Sequence, residues 1–128
     1  MLVADASALV HALVADAGGP LRARLTADDL VCPDLVHVEV TSALRGLVRR
    51  HTLTARRAAA ALDDVLDLPM VVIPAPALVR RTWELRGNLT PYDAAYVAVA
   101  EGVAAPLLTL DRRLASAPSL PCRVELIT

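Results

Sequence analysis

Short apolar runs alternate with amphipathic stretches along the whole chain. Five of these runs predict β-strands, because they are short, rich in Val and Leu and bounded by charged residues, Pro or Gly: residues 2–4, 30–32, 70–73, 106–110 and 123–127. Helical spacing between them predicts seven helices, near residues 5–14, 20–28, 35–51, 55–66, 77–86 and 91–102, with a short one after Asp111. Strands that are apolar on both faces favour a parallel sheet covered by helices on each side. We therefore predict a three-layer α/β fold.

Helix boundaries carry recognisable capping residues. Asp34, Thr54, Thr90 and Asp111 each stand where a helix is predicted to begin, and Asp, Ser and Thr side chains are favoured N-caps. Pro91 directly after Thr90 fits the first helical position, where its missing N–H costs nothing. These signals predict where each helix starts, independently of the apolar spacing.

Composition narrows the class of protein. The chain has 128 residues, the size of one domain spanning residues 1–128, and its 55% of hydrophobic residues excludes a disordered chain. The net charge of −1 excludes a polybasic nucleic-acid binder, and the 13 basic residues are all Arg. Cys32 and Cys122 lack metal-ligand spacing, which favours buried reduced thiols and a cytoplasmic location. No apolar stretch predicts a membrane span.

Four carboxylates stand out by position. Asp5 and Asp111 directly follow the first and fourth predicted strands, Asp93 lies in the first turn of a helix, and Glu39 borders the apolar stripe of a long helix. Singly, the three aspartates can be explained as helix caps or as partners of a helix dipole. Capping does not explain Glu39, which lies within a helix beside an apolar stripe, where a solvated side chain is not expected.

The carboxyl ends of parallel strands offer a place where these groups could meet. Ligands of open parallel sheets bind in the crevice outside those ends, where the strand order reverses. Converging carboxylates repel one another unless a cation lies between them, and hard divalent cations such as Mg²⁺ or Mn²⁺ prefer carboxylate oxygens. Such a cation lowers the pKa of bound water and stabilises charge on phosphoryl oxygens. The pattern thus predicts metal-dependent phosphodiester hydrolysis.

Four segments of the chain resemble the signature blocks of PIN-domain ribonucleases, and most closely those of the VapC toxins of bacterial toxin–antitoxin pairs. The segments are residues 2–9, 39–45, 92–100 and 108–114. One such block is a weak signal, since it is only a few residues long. Four in the family's order, spread from the first strand to the last, form a specific resemblance.

The resemblance implies a PIN-like fold with a parallel five-stranded sheet and a catalytic quartet that binds Mg²⁺ or Mn²⁺: Asp5, Glu39, Asp93 and Asp111. It also implies that Ser7 and Thr109 line the site through their hydroxyls. In this family RNA, commonly tRNA or a ribosomal RNA loop, is cut to leave a 3′-hydroxyl and a 5′-phosphate. A cognate VapB-type antitoxin blocks the site, and a homodimer is expected.

A few other residues bear on the site. Arg112 and Arg113 follow Asp111 and are predicted at the mouth of the site, where Arg112 could contact RNA. Trp83 and Tyr96 are two of three aromatic residues, and we expect each in the core or in a subunit interface.

Other functions fit less well. A phosphorelay receiver also has aspartates at strand ends but requires a Lys, which this chain lacks. A phosphatase of the haloacid dehalogenase type requires D-x-D after the first strand, and here Ser7 occupies the second position. The remaining alternative is a catalytically silent PIN-like module that only binds a partner. Metal-dependent RNA cleavage separates that alternative from an enzyme.

Overall fold

A computed structural model describes all 128 residues, Met1–Thr128. It has five strands: β1 (Val3–Ala4), β2 (Leu30–Pro33), β3 (Met70–Ile73), β4 (Leu107–Thr109) and β5 (Val124–Leu126). Seven α-helices connect or follow them: α1 (Ala6–Val14), α2 (Gly19–Ala27), α3 (Val36–Arg49), α4 (Ala55–Asp67), α5 (Val79–Glu84), α6 (Pro91–Gly102) and α7 (Arg112–Ala115). Two short 3-10 segments lie at Asp16–Gly18 and Ala75–Ala77. The predicted element order is confirmed.

The strands form two parallel sheets, so the expected five-stranded sheet is wrong. One sheet has the order β1-β4-β5, and the other pairs β2 with β3. A single parallel bridge, Leu2 to Leu30, joins them. One residue beyond β1 the chain already turns into α1, and the carbonyl of Ala4 accepts a hydrogen bond from the Cys32 thiol instead of a backbone N–H. The ladder between β1 and β2 is therefore too short to make one sheet.

Strand order places β1 at the point where the chain changes direction. From β1 the chain passes to β2, which is bridged to one side of it, and later returns to β4 on the other side. In parallel α/β folds the crevice at the carboxyl ends of such strands is the usual place for a ligand. Asp5 directly follows β1 at this crevice.

Helices pack in two groups that both contact the central strands. Helices α1 to α4 pack among themselves, with α1 against β1 and β4, while α5 packs on α6 and α6 on β1, β2 and β4. Every residue of α6 from Ala94 to Ala100 is buried, so α6 is the most deeply packed helix. Buried apolar surface of this kind is the main stabilising contribution to a domain of this size.

Strand β3 differs from its prediction as a strand covered on both faces. Val71 is 57% exposed and Val72 is 39% exposed, because β3 lies at the outer edge of the two-stranded pair. Trp83 on α5 is 66% exposed, with the Arg86 guanidinium 4.1 Å from its ring centroid. Of the two places expected for Trp83, the core is therefore excluded, and a subunit interface stays a prediction. Apolar side chains between residues 71 and 83 are thus left at the surface.

Three of the four predicted N-caps are confirmed. The side chains of Thr54, Thr90 and Asp111 accept hydrogen bonds from backbone N–H groups of the helices that they precede. Asp34 is the exception, because α3 begins one residue later and the Asp34 carboxylate accepts from the backbone N–H of Ala75 instead. None of the helices is both long and apolar enough to cross a lipid bilayer.

Candidate active site

Asp5 and Asp111 lie at the carboxyl ends of two neighbouring parallel strands. Strands β1 and β4 pair with Val3 opposite Leu107 and Ala4 opposite Leu108, and each Asp follows shortly after its strand. Each aspartate is also the N-cap of the helix after it. The capping explanation and the site explanation are therefore compatible, because a cap uses only part of a carboxylate's capacity to accept hydrogen bonds.

Three donors hold the Asp5 carboxylate. Its Oδ1 accepts from the Ser7 hydroxyl at 2.5 Å and from the Ala8 N–H at 3.0 Å, while its Oδ2 accepts from the Thr109 hydroxyl. The Thr109 oxygen in turn accepts from the Asp111 N–H at 3.0 Å. Asp5 is 8% exposed and Thr109 is fully buried, so this network is shielded from solvent. Neutral hydroxyls hold the carboxylate in place without neutralising its charge.

Glu39 reaches the same region from α3. It is half-buried, and its Oε1 accepts a hydrogen bond from the Tyr96 hydroxyl on α6 at 2.7 Å. Burial raises the pKa of Glu39, the Tyr96 hydrogen bond opposes that rise, and the charges of Asp93 and Asp5 add to it. Two of the other three predicted carboxylates, Asp93 and Asp5, therefore interact electrostatically with Glu39.

Asp93 and Asp111 share one guanidinium group. Nη2 of Arg113 lies 3.3 Å from Oδ2 of Asp93 and 3.4 Å from Oδ2 of Asp111. Burial raises the pKa of Asp93, the Arg113 charge lowers it, and the charges of Asp111 and Asp5 raise it further. The single positive charge of Arg113 thus offsets part of the negative charge of this pair.

The structure thus brings the four predicted carboxylates into one region, each engaged by a side-chain donor of the chain itself. The charges of Asp5 and Asp93 raise the pKa of Glu39. The charges of Asp5 and Asp111 raise the pKa of Asp93. Arg112, predicted to line the site, makes no ion pair, and it is Arg113 that contacts the carboxylates.

The donor set is of the type that Mg²⁺ and Mn²⁺ prefer, since it consists of carboxylates and hydroxyls only. As the side chains stand, no three carboxylates lie close enough together to form a ligating group. Hydrogen bonds to Arg113 hold the Asp93–Asp111 pair in its own position. The residues therefore fit a hard divalent cation in chemistry, and ligation requires some carboxylates to turn toward it.

Two site residues lack a simple sequence signal. Tyr96 follows Asp93 by three positions and so lies on the same face of α6, yet only the folded chain brings its hydroxyl to Glu39, 57 positions away. In the sequence Arg113 is one member of the basic pair Arg112–Arg113, but spacing alone does not tell which of the two faces the aspartates. A search for polar groups one turn from each carboxylate identifies Tyr96, three positions after Asp93, but not Arg113, which is two positions after Asp111.

An open groove continues from the site between α1 and α3. Ser7 and Leu110 border it on the side of the site, and Val10, Val14 and Leu47 form much of its apolar wall. It provides a mainly apolar surface directly beside the carboxylates.

Comparison with known proteins gives consistent matches over nearly the whole chain. The PIN domain family model matches residues 2–120. Ribonuclease VapC1 of Mycobacterium tuberculosis is 42% identical, with 98% of this chain and 96% of the relative aligned. VapC ribonuclease Mb0985 of Mycobacterium bovis is 39% identical, with 99% of this chain and 98% of the relative aligned.

Solved structures show the same fold. The Mycobacterium tuberculosis toxin VapC20, described as cleaving the sarcin-ricin loop, superposes with a TM-score of 0.65 at 22% identity, covering 96% of this chain and 99% of that one. VapBC2 of Rickettsia felis, bound to a DNA fragment from its promoter, gives a TM-score of 0.70 at 14% identity, covering 99% and 98%. At these identities the structures show a shared fold.

Proposed function

The chain belongs to the PIN-domain family, and we propose that it is a VapC-type endoribonuclease toxin that depends on Mg²⁺ or Mn²⁺. The family match and relatives of 42% and 39% identity named as VapC ribonucleases support the activity. The convergence of Asp5, Glu39 and Asp93 with Asp111 at the ends of β1 and β4 is the observation that carries the proposed chemistry.

In this proposal the four carboxylates hold the divalent cation and are the catalytic residues. The cation would supply an activated water and stabilise negative charge on the phosphoryl oxygens during hydrolysis. Ser7 and Thr109 orient Asp5 through hydrogen bonds from their hydroxyls. Arg113, released from the aspartates, contacts an RNA phosphate, for which its planar guanidinium is well suited.

RNA is the proposed substrate, with tRNA or a ribosomal RNA loop as the expected target. A net charge of −1 gives no overall attraction to a polyanion, so affinity has to come from local clusters. Arg112 and Arg113 are both exposed beside the site and form one such cluster.

The proposed partners are a VapB-type antitoxin and a second copy of the chain. The antitoxin assignment rests on the VapC relatives and on the fold shared with the VapBC2 structure. The groove between α1 and α3 offers it an apolar surface beside the site. Exposed apolar residues on β3 and α5, including Val71 and Trp83, support a homodimer.

Replacement of Asp5 by Asn tests the function. Asp5→Asn removes a charge but keeps an N-cap of similar strength, so the fold should be retained while RNA cleavage in Mn²⁺ falls to background. We would measure cleavage of total RNA, its loss on adding EDTA, and the growth arrest caused by expression of the toxin.

Asp34→Asn is the matched control, since Asp34 also follows a strand but is exposed and binds only the backbone of Ala75. It should cleave RNA like the wild type. If the wild-type protein bound its antitoxin and cleaved no RNA in Mn²⁺, the catalytically silent module would be the correct alternative. Cleavage by Asp5→Asn at the wild-type rate would remove the proposed site.

A further inference from the structure

We propose that Tyr96 is a positioning residue, whose hydroxyl fixes the Glu39 carboxylate in the orientation in which it binds the divalent cation. This inference rests on the proposed function and extends it to a residue outside the acidic quartet. The hydroxyl donates to Oε1 of Glu39 at 2.7 Å, while Oε2 has no hydrogen-bond donor and is free to accept a ligand.

Burial makes this contact rigid. Tyr96 is 1% exposed and belongs to the buried segment of α6, which packs against β1, β2 and β4. A buried aromatic ring with both torsions fixed by packing places its hydroxyl at one point. Glu39, by contrast, is half-buried with a long side chain, whose ordering costs up to about 2 kcal/mol of conformational entropy. The hydrogen bond from Tyr96 orders the Glu39 side chain in advance, so this entropy is not lost when a cation binds.

The choice of partner argues against a merely structural hydroxyl. The hydroxyl of Tyr96 has a single partner, and that partner is a carboxylate of the site on a different helix. Asp93, another member of the quartet, lies one turn earlier on α6. One helix thus carries a carboxylate of the site and the group that orients a second. Loss of the hydroxyl therefore weakens cation binding by freeing the Glu39 side chain from its fixed orientation.

Tyr96→Phe removes the hydroxyl and keeps the ring. Tyr92→Phe is the matched control, because Tyr92 lies on the same helix, is exposed and makes no side-chain hydrogen bond. We would titrate Mn²⁺ alone into each protein by calorimetry, without RNA. Groups that orient a metal ligand typically contribute 10- to 100-fold in affinity, so we expect the dissociation constant to rise roughly tenfold in Tyr96→Phe and to stay unchanged in Tyr92→Phe.

A double mutant shows whether Tyr96 acts through Glu39. Glu39→Ala should weaken Mn²⁺ binding, and adding Tyr96→Phe to it should cause no further loss, because the hydroxyl then has no carboxylate to orient. In cleavage assays the Mn²⁺ concentration for half-maximal rate should rise in Tyr96→Phe, with the rate at saturating Mn²⁺ close to that of the wild type. A structural defect would instead lower the rate at every Mn²⁺ concentration and the melting temperature without Mn²⁺.

The outcomes separate this inference from the proposed function. Wild-type Mn²⁺ affinity in Tyr96→Phe, or full additivity with Glu39→Ala, would overturn the positioning role while leaving the nuclease intact. Absence of Mn²⁺ binding to the wild-type protein would overturn the proposed metal site, and the positioning role with it.

Discussion

The acidic cluster has two halves that are held by different kinds of donor. In the hydroxyl-held half, Asp5 accepts from the neutral side chains of Ser7 and Thr109 within a shielded network. In the arginine-held half, Asp93 and Asp111 share Arg113, whose side chain is 73% exposed. Both halves use hydrogen bonds to fix carboxylates, yet only the second contains a positive charge that offsets part of theirs.

This difference indicates which part of the site is preorganised for a cation. A carboxylate held by hydroxyls keeps its full negative charge, so nothing needs to be displaced when a cation binds. An exposed ion pair contributes roughly 0–1 kcal/mol and is easily exchanged. We infer that the hydroxyl-held half is the fixed part of the site and that the arginine-held half rearranges around the cation.

Thr109→Val should produce the largest change in stability. Val has nearly the shape of Thr, but it leaves Oδ2 of Asp5 without its hydroxyl donor and the Asp111 N–H without its acceptor. An unsatisfied buried polar group costs about 1–3 kcal/mol, so the free energy of unfolding should fall by about that amount. Denaturant unfolding of the cation-free protein measures it.

Thr109→Ser is the control, since it keeps the hydroxyl and loses one methyl group. It should be the more stable of the two variants. If Thr109→Val were as stable as the wild type, the hydroxyl network would not be the fixed part of the site and the contrast between the two halves would disappear.

The parts of this site that depend on local patterns of apolar and polar residues could be predicted from the sequence. Asp5 and Asp111 could be predicted because a residue that follows a strand of a parallel sheet must lie at its carboxyl edge. Glu39 could be predicted because it borders the apolar stripe of its helix, where a solvated side chain is not expected. Each prediction needed only the periodicity of its own element.

The remaining features depend on contacts between distant elements. The short length of β1 turned the expected continuous sheet into two, and this follows from how early Asp5 starts α1. The hydrogen bond from Tyr96 to Glu39 depends on where the fold places α6 relative to α3, and no local residue pattern predicts that placement. The choice of Arg113 over Arg112 depends on the direction of one turn of helix.

Arg113→Ala should change cation affinity in the direction opposite to Tyr96→Phe. Without the guanidinium, Asp93 and Asp111 lose their internal counter-charge and attract Mn²⁺ more strongly, so the dissociation constant should fall severalfold near neutral pH. The free energy of unfolding should change by less than about 0.5 kcal/mol, because the ion pair is exposed. Calorimetry with Mn²⁺ alone and denaturant unfolding measure the two quantities.

Arg112→Ala is the matched control, because Arg112 is equally close in sequence and makes no ion pair with the aspartates. Its Mn²⁺ affinity should equal that of the wild type, even if both variants bind RNA more weakly. Equal affinities in Arg113→Ala and Arg112→Ala would show that the arginine does not compete with the cation.

The smallest expected effect is a dependence of cation binding on pH. Burial raises the pKa of both Glu39 and Asp93. A carboxyl group whose pKa is raised by folding contributes stability below its unfolded value of about 4, and that contribution is lost as the pH rises through the raised value. The cation-free melting temperature should therefore fall slightly across this interval above about pH 4. The increase in melting temperature caused by Mn²⁺ should grow over the same interval, since the cation binds the ionised forms.

The charge of Arg113 opposes the rise in the pKa of Asp93. In Arg113→Ala the Mn²⁺-induced increase in melting temperature should therefore begin at a higher pH, with Arg112→Ala as the control. A Mn²⁺-induced increase that begins at the same pH in both variants would mean that Arg113 does not set the protonation of the arginine-held half.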